Sequence, residues 1–307
     1  MGQVNMSVDM GGFIMKNPVN TASGTFGFGY QFEGFFDVST LGAITLKGCS
    51  AVPWPGNPAP RMCEIPSGML NTVGLANPGI KALAQGFGEY FRELEAKDAR
   101  VIAQIAGHSI DECIQATELY EELMPYVSAL ELNISCPNLE AGGRPMGDTP
   151  EAAEAVVSAV RKHTDRPLLV KLAPRNVADI SRACEGAGAD GLTLINTIPA
   201  MSIDIHTHRS KISRPTGGAS GPCIHAIAVR MVWEAAQAVS IPICGAGGIM
   251  SGADAAEFIL AGATSVAVGM GNFAQPDLAP RVMAELERWA QGEGVADISE
   301  LRGAFLC

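Results

Sequence analysis

Residues 167–197 read PLLVKLAPRNVADISRACEGAGADGLTLINT. Two short apolar runs, Pro167–Ala173 and Gly191–Thr197, bracket an amphipathic stretch. That is the pattern of a buried parallel strand, a covering helix and the next parallel strand. The alternation continues in both directions. Upstream the runs are Pro18–Ser23, Ala43–Gly48, Arg100–Ala106 and Ala129–Ser135; downstream they are Pro242–Gly247 and Ser265–Met270. The intervening segments carry helix signals. Thr149, Pro150 and Glu151 read as an N-cap, a first-turn proline and an acid near the positive helix end. Ser251 with Asp254 resembles a capping box, and Leu278, Val282, Met283, Leu286 and Trp289 form an apolar stripe.

Eight strand-then-helix units over roughly 250 residues predict an α/β fold of the (β/α)8 barrel type. The rival is an open doubly wound sheet, but no G-x-G-x-x-G follows Ser23 in that register. Ahead of the first unit, Met6–Met10 and Phe13–Met15 flank Gly11-Gly12, a short β-hairpin expected to close the bottom of the barrel. Two connections exceed ordinary βα loops. Ser50–Ile80, after the second strand, holds six prolines and Trp54; Ile198–Ser220, after the sixth, holds His206 and His208. Both fall on the face where a barrel carries its chemistry. With no linker and no repeat beyond the βα unit, residues 1–307 are expected to form a single domain.

Composition agrees. Hydrophobic residues make up 47% of the 307 and charged residues 17%, as in a compact globular chain. A net charge of −11 argues against nucleic acid, which requires a basic surface. The eight cysteines contain no C-x-x-C, which argues against a zinc ribbon or a cysteine-ligated iron–sulfur cluster within the chain. No secretory pattern opens the sequence, and no apolar run reaches the 18 or so residues of a membrane span. A reduced, cytoplasmic protein without membrane contact is expected.

The carboxyl ends of the strands collect polar residues: Ser23, Lys47, Gln104, Asn133, Ser135, Cys136, Lys171, Asn196 and Thr197. Two lysines and two asparagines near one mouth need partners to offset desolvation, and a polar ligand with several carbonyl and imide groups would supply them. Gly245–Gly248 and Gly269–Gly271 follow the last two strands, where barrels commonly hold a phosphate; tight turns without a ligand are the plain alternative. Cys136 precedes Pro137 and a Gly-rich stretch, a setting that suits a general base or nucleophile. The plain alternative is a small buried hydrophobe, the reading kept for the other seven cysteines. His206 and His208 lack a carboxylate-rich shell, so no metal is assigned.

The motifs NTASGTFGFG at 20–29, TLKGCS at 45–50, NTVGLANPG at 71–79, NISCPN at 133–138, VKLAP at 170–174 and INT at 195–197 share one pattern. GGASGP at 217–222, GAGGI at 245–249 and VGMGNF at 268–273 complete it. In order and over nearly the whole chain, they resemble the catalytic subunit of the class 1B dihydroorotate dehydrogenases. The resemblance implies an FMN enzyme of pyrimidine biosynthesis that oxidises dihydroorotate to orotate. Cys136 would remove the C5 proton while hydride passes from C6 to flavin N5. Lys47, Asn71, Asn77, Asn133, Asn196 and Thr197, with the backbone of Gly74 and Leu75, match the positions that grip orotate. Ser23, Lys47, Gly48, Gln104, Asn133, Lys171, Ile195, Gly221, Gly247, Gly248, Gly269 and Met270 match the flavin positions, Gln104 standing where the family usually has Asn. The resemblance also implies a homodimer, with a separate subunit carrying FAD and a [2Fe–2S] cluster to form a heterotetramer that passes electrons to NAD. Two related activities stay open: a dihydropyrimidine dehydrogenase-like subunit acting on uracil or thymine, and a class 1A enzyme reducing fumarate. Outside this family, a non-redox phosphate-binding barrel and a non-catalytic flavoprotein remain.

Overall fold

The computed structural model describes residues 4–135, 137–138 and 144–306. Eight parallel strands form one sheet: β1 (Val19–Thr21), β2 (Ala43–Thr45), β3 (Arg100–Ile105), β4 (Ala129–Asn133), β5 (Leu168–Lys171), β6 (Gly191–Leu194), β7 (Ile243–Ala246) and β8 (Ser265–Val268). Their order runs β1-β8-β7-β6-β5-β4-β3-β2, so the two ends of the sheet are consecutive in sequence. Gly42 N–H donates to the Val19 carbonyl at 3.1 Å and Asn20 Nδ2 donates to Thr45 Oγ1 at 2.9 Å, joining β1 to β2. The sheet is a barrel, and the expected architecture holds.

Helices α1 (Ile80–Ala96), α2 (Ile110–Leu123), α3 (Pro150–Arg161), α4 (Val177–Gly186), α5 (His225–Ala236) and α6 (Gly252–Leu260) cover it, followed by the four-residue α7 (Gly271–Ala274) and then α8 (Leu278–Glu293). Their starts follow the local chemistry. Thr149 Oγ1 accepts from Ala152 N–H at 3.3 Å ahead of Pro150 at the first turn of α3. Ser251 Oγ accepts from Asp254 N–H at 3.2 Å, but Asp254 Oδ2 returns to Met250 N–H at 2.9 Å, a shifted form of the capping box. Along α8, Leu278, Val282 and Leu286 are buried, while Met283 and Trp289 pack at the margin of the core.

Val8–Asp9 pairs with Ile14–Met15, and Asp9 Oδ1 accepts from both Gly11 and Gly12 N–H at 3.0 Å. Val8, Met10, Phe13 and Met15 are buried, each contributing roughly 1.5–3 kcal/mol of apolar transfer. A Cβ on Gly11 would stand 2.1 Å from the Asp190 carbonyl oxygen, just before β6, so the hairpin seals the amino-terminal end of the barrel.

The two long connections meet at the opposite end. Met62–Ile65 and Gly68–Asn71 from the first pair with Gly217–Ser220 and Ile198–Ala200 from the second, giving a four-stranded antiparallel sheet over the barrel mouth. His206 and His208 lie on the turn of a further hairpin, Ile203–Asp204 with Arg209–Ser210, and both are exposed. No helix among the described residues is long and apolar enough to cross a membrane.

Candidate active site

Between the barrel mouth and this second sheet lies a cavity of about 410 Å³, within the size range of small-molecule sites. Register explains which side chains reach it. Lys171 is paired with Asn133 on one side and Thr193 on the other, so these side chains share the inner face of the barrel. Ser23, Lys47, Gln104, Asn133, Lys171, Ile195, Asn196 and Thr197 line the cavity from the strand ends. Asn71, Gly74 and Leu75 line it from the first connection, and Gly221, Gly247, Gly248, Gly269 and Met270 from the opposite wall.

Two candidates stand behind the wall. Gly48 donates its N–H to Ser23 Oγ at 3.2 Å, and a Cβ there would meet Gln104 Oε1 at 2.5 Å. Asn77 is buried: its Nδ2 donates to Ser50 Oγ at 3.0 Å and to the Leu75 carbonyl at 2.8 Å, while its Oδ1 accepts from Gly79 N–H at 2.9 Å. It shapes the loop that carries Leu75 (φ 57°), a left-handed non-glycine residue of the kind found at binding sites. Cys136 lies outside the described residues; its neighbour Ser135 lines the cavity, with its N–H on Asn133 Oδ1 at 3.1 Å.

Sequence reasoning missed Asn57, Thr72, Met69 and Phe273, which also line the cavity. Asn57 Nδ2 donates to the Thr72 carbonyl at 3.0 Å and to Thr72 Oγ1 at 2.9 Å, stitching the first connection to itself. No strand-end rule reaches such residues. A second omission is Glu131, in the middle of β4. An acid inside an apolar run (ALELN) was the available signal.

Three of the other thiols are quiet. Burial pushes Cys49, Cys184 and Cys244 up to about 12, so all three stay protonated at neutral pH. Among the described residues no cluster of three or more histidine, cysteine or acidic side chains could hold a metal ion.

A (β/α)8 barrel with a polar, lysine- and asparagine-lined cavity at its carboxyl mouth, and glycine loops after its last two strands, has the layout of a barrel enzyme. Residues 5–289 match the family model described as Dihydroorotate dehydrogenase. The chain is 46% identical over 308 residues to "Dihydroorotate dehydrogenase B (NAD(+)), catalytic subunit" of Geotalea uraniireducens (strain Rf4), covering 100% of both chains. It is 47% identical over 303 residues to the protein of that name from Trichlorobacter lovleyi, covering 98% of both. Among solved structures, DHODH in complex with ferulenol from Eimeria tenella superposes with a TM-score of 0.81, at 21% identity over 98% of this chain and 88% of that one, a likeness of fold. The chain belongs to the dihydroorotate dehydrogenase family, whose members are flavin-dependent oxidoreductases.

The family implies FMN, and the residues present fit it. Gly221 (φ 105°), Gly247 (φ 151°) and Gly248 (φ 69°) have backbone angles or surroundings that exclude a side chain. A Cβ on Gly248 would lie 2.7 Å from the Gly221 carbonyl oxygen, so the two loops meet backbone to backbone in the cavity wall, a lining that suits a ligand's phosphate. Lys171 is 6% exposed and faces the cavity, and its ammonium has no acceptor among the described residues. A cation buried in that way calls for an electron-rich ligand group.

Proposed function

We propose that this chain oxidises (S)-dihydroorotate to orotate in de novo pyrimidine biosynthesis and delivers the electrons to NAD through a second subunit. The observation that carries this reading is the single cavity into which Lys47, Lys171, Asn71, Asn133 and Asn196 all open beside the glycine cradle. Dihydroorotate presents a carboxylate and a ring of imide groups. Lys47 offers the carboxylate a cation, while the amides of Asn71, Asn133 and Asn196 offer a donor and an acceptor each. Thr197 and the Gly74–Leu75 backbone complete the grip, with Asn77 holding the Leu75 carbonyl in place. Leaving one such group unpaired costs about 1–3 kcal/mol, which disfavours uracil-like rings without the carboxylate.

Gly221, Gly247, Gly248, Gly269 and Met270 would hold the FMN phosphate side, and Ser23, Gly48, Gln104, Lys171 and Ile195 would hold the ring. When bound, FMN supplies the acceptor for hydride from C6 of the substrate, at its N5. Cys136 would take the C5 proton, the thiolate being the form of a cysteine that can act as a base. Lys171 stabilises negative charge that develops beside it. Electrons leave through a partner carrying FAD and a [2Fe–2S] cluster, on a cytoplasmic heterotetramer built around a homodimer of this chain; the absence of C-x-x-C here is consistent with that division of labour.

Anaerobic addition of dihydroorotate to the FMN-loaded protein tests the reading. Bleaching of the flavin by dihydroorotate and not by dihydrouracil is the expected result. A flavin that stays oxidised, or a preference for dihydrouracil, would overturn it. Poor NAD reduction by the isolated chain is the matching expectation for the partner.

A further inference from the structure

Below the cavity floor lies a buried acid that the reaction described above leaves without a task. Glu131 is 2% exposed, the only acidic side chain among the described residues that is buried. Its Oε1 accepts from Gln104 Nε2 and its Oε2 from Thr193 Oγ1, each at 2.6 Å. Bonds this short onto a carboxylate are charge-assisted. An ionised carboxylate can only accept, so Gln104 must turn its NH2 toward Glu131 and its Oε1 away. That Oε1 takes the Ser23 hydroxyl proton at 2.8 Å, and Ser23 Oγ accepts from Gly48 N–H at 3.2 Å. The donor direction of this chain, from the end of β2 through β1 and β3 to β4, is therefore set by the charge at its foot. Asn133, two residues further along the same face of β4, lines the cavity, so the carboxylate sits about 7 Å beneath that lining.

We infer that Glu131 is a positioning residue for the flavin: its carboxylate orders Gln104 and Ser23 in the cavity floor and holds a fixed negative charge under the bound ring. This rests on the reading of the cavity as the FMN site. A buried anion there disfavours the electron-rich reduced flavin and keeps its potential low, against the opposing charge of Lys171. Replacing the acid by its neutral isostere releases both effects.

The experiment compares wild type with Glu131→Gln, each stripped of flavin, titrated with FMN and taken through a redox titration. Both chains bind FMN, and the variant's midpoint potential is more positive by ~30 mV, an about tenfold change in the two-electron reduction equilibrium. A role in packing alone would weaken FMN binding without that directed shift. An FMN-loaded variant whose potential is unshifted or more negative overturns the inference and leaves the flavin reading intact. A wild-type chain that takes up no FMN overturns both. Should the variant fail to fold, wild type labelled with 13C-glutamate answers by infrared redox-difference spectroscopy. A carboxylate band that moves on flavin reduction and resists exchange into D2O supports the assignment, and the absence of any moving glutamate band overturns it.

Discussion

A cysteine that works as a base must be able to lose its proton near neutral pH, and that requirement removes the deeply buried thiols of this chain. Cys49, Cys184 and Cys244 are held near 12 by burial, and Cys113 is buried against Gly107. Cys136 differs by position: it follows Ser135, which faces the cavity, and precedes the segment paired as Pro137–Asn138 with Arg144–Pro145. Cys136→Ser is expected to retain FMN and to slow flavin reduction by dihydroorotate at neutral pH by about 100-fold or more, the usual worth of a positioned base. The rate of the variant should climb as pH is raised, because a serine hydroxyl is the weaker acid. Anaerobic stopped-flow measurement of flavin reduction checks this, and a wild-type rate would remove Cys136 from the base role. At this scale the sequence was readable wherever a polar residue ends an apolar run, as Lys47 and Lys171 do. For Glu131, inside its strand, the one signal was an acid within an apolar run, and for Asn57, whose place depends on a loop folding back onto Thr72, there was none.

Strands were legible as elements because a parallel strand covered on both faces must be apolar along its length, and each predicted run contains one. The run Pro18–Ser23 holds β1 as Val19–Thr21, with the cavity-lining Ser23 just beyond it, and Pro167–Ala173 holds β5 as Leu168–Lys171, whose last residue lines the cavity. The two connections were legible only as long excursions. Their union into one sheet depends on pairing Gly218 with Asn71, almost 150 residues away, and no local pattern encodes a partner at that distance. The glycine loops after β7 and β8 belong to the same scale, since their function lies in backbone shape. Gly248→Ala puts a Cβ at φ 69° and 2.7 Å from a backbone oxygen that cannot yield cheaply. It should weaken FMN binding by at least about tenfold, through strain of roughly 1–3 kcal/mol in the cradle. Fluorescence titration of the apoprotein with FMN measures this; unchanged affinity would place the phosphate elsewhere.

The whole molecule separates chemistry from stability along the barrel axis. The carboxyl mouth turns its polar groups toward a cavity, whereas the opposite end pairs them with one another. There the guanidinium of Arg166 grips Glu121 through Nη2 at 2.8 Å and Nε at 3.2 Å, while Arg161 reaches Asp190 at 2.8 Å beside the N-terminal hairpin. Burial alone would raise the Glu121 carboxyl, but hydrogen bonds from Arg166 and Thr164 outweigh it and hold the group below its ordinary value of 4.5. A carboxyl depressed on folding stabilises the native state above its unfolded pKa, and that contribution fades as pH falls through the folded one. Glu121→Gln should therefore lower the melting temperature at pH 7 by about 2 °C, the scale of a partly exposed pair worth under ~1 kcal/mol. Calorimetry across pH should show the two proteins converging below the carboxylate range. Dihydroorotate oxidation by the variant should match wild type at room temperature, because none of the described residues at this end lines the cavity. A gap that instead persists or widens in acid would mean that the clamp acts through packing and not through its charge.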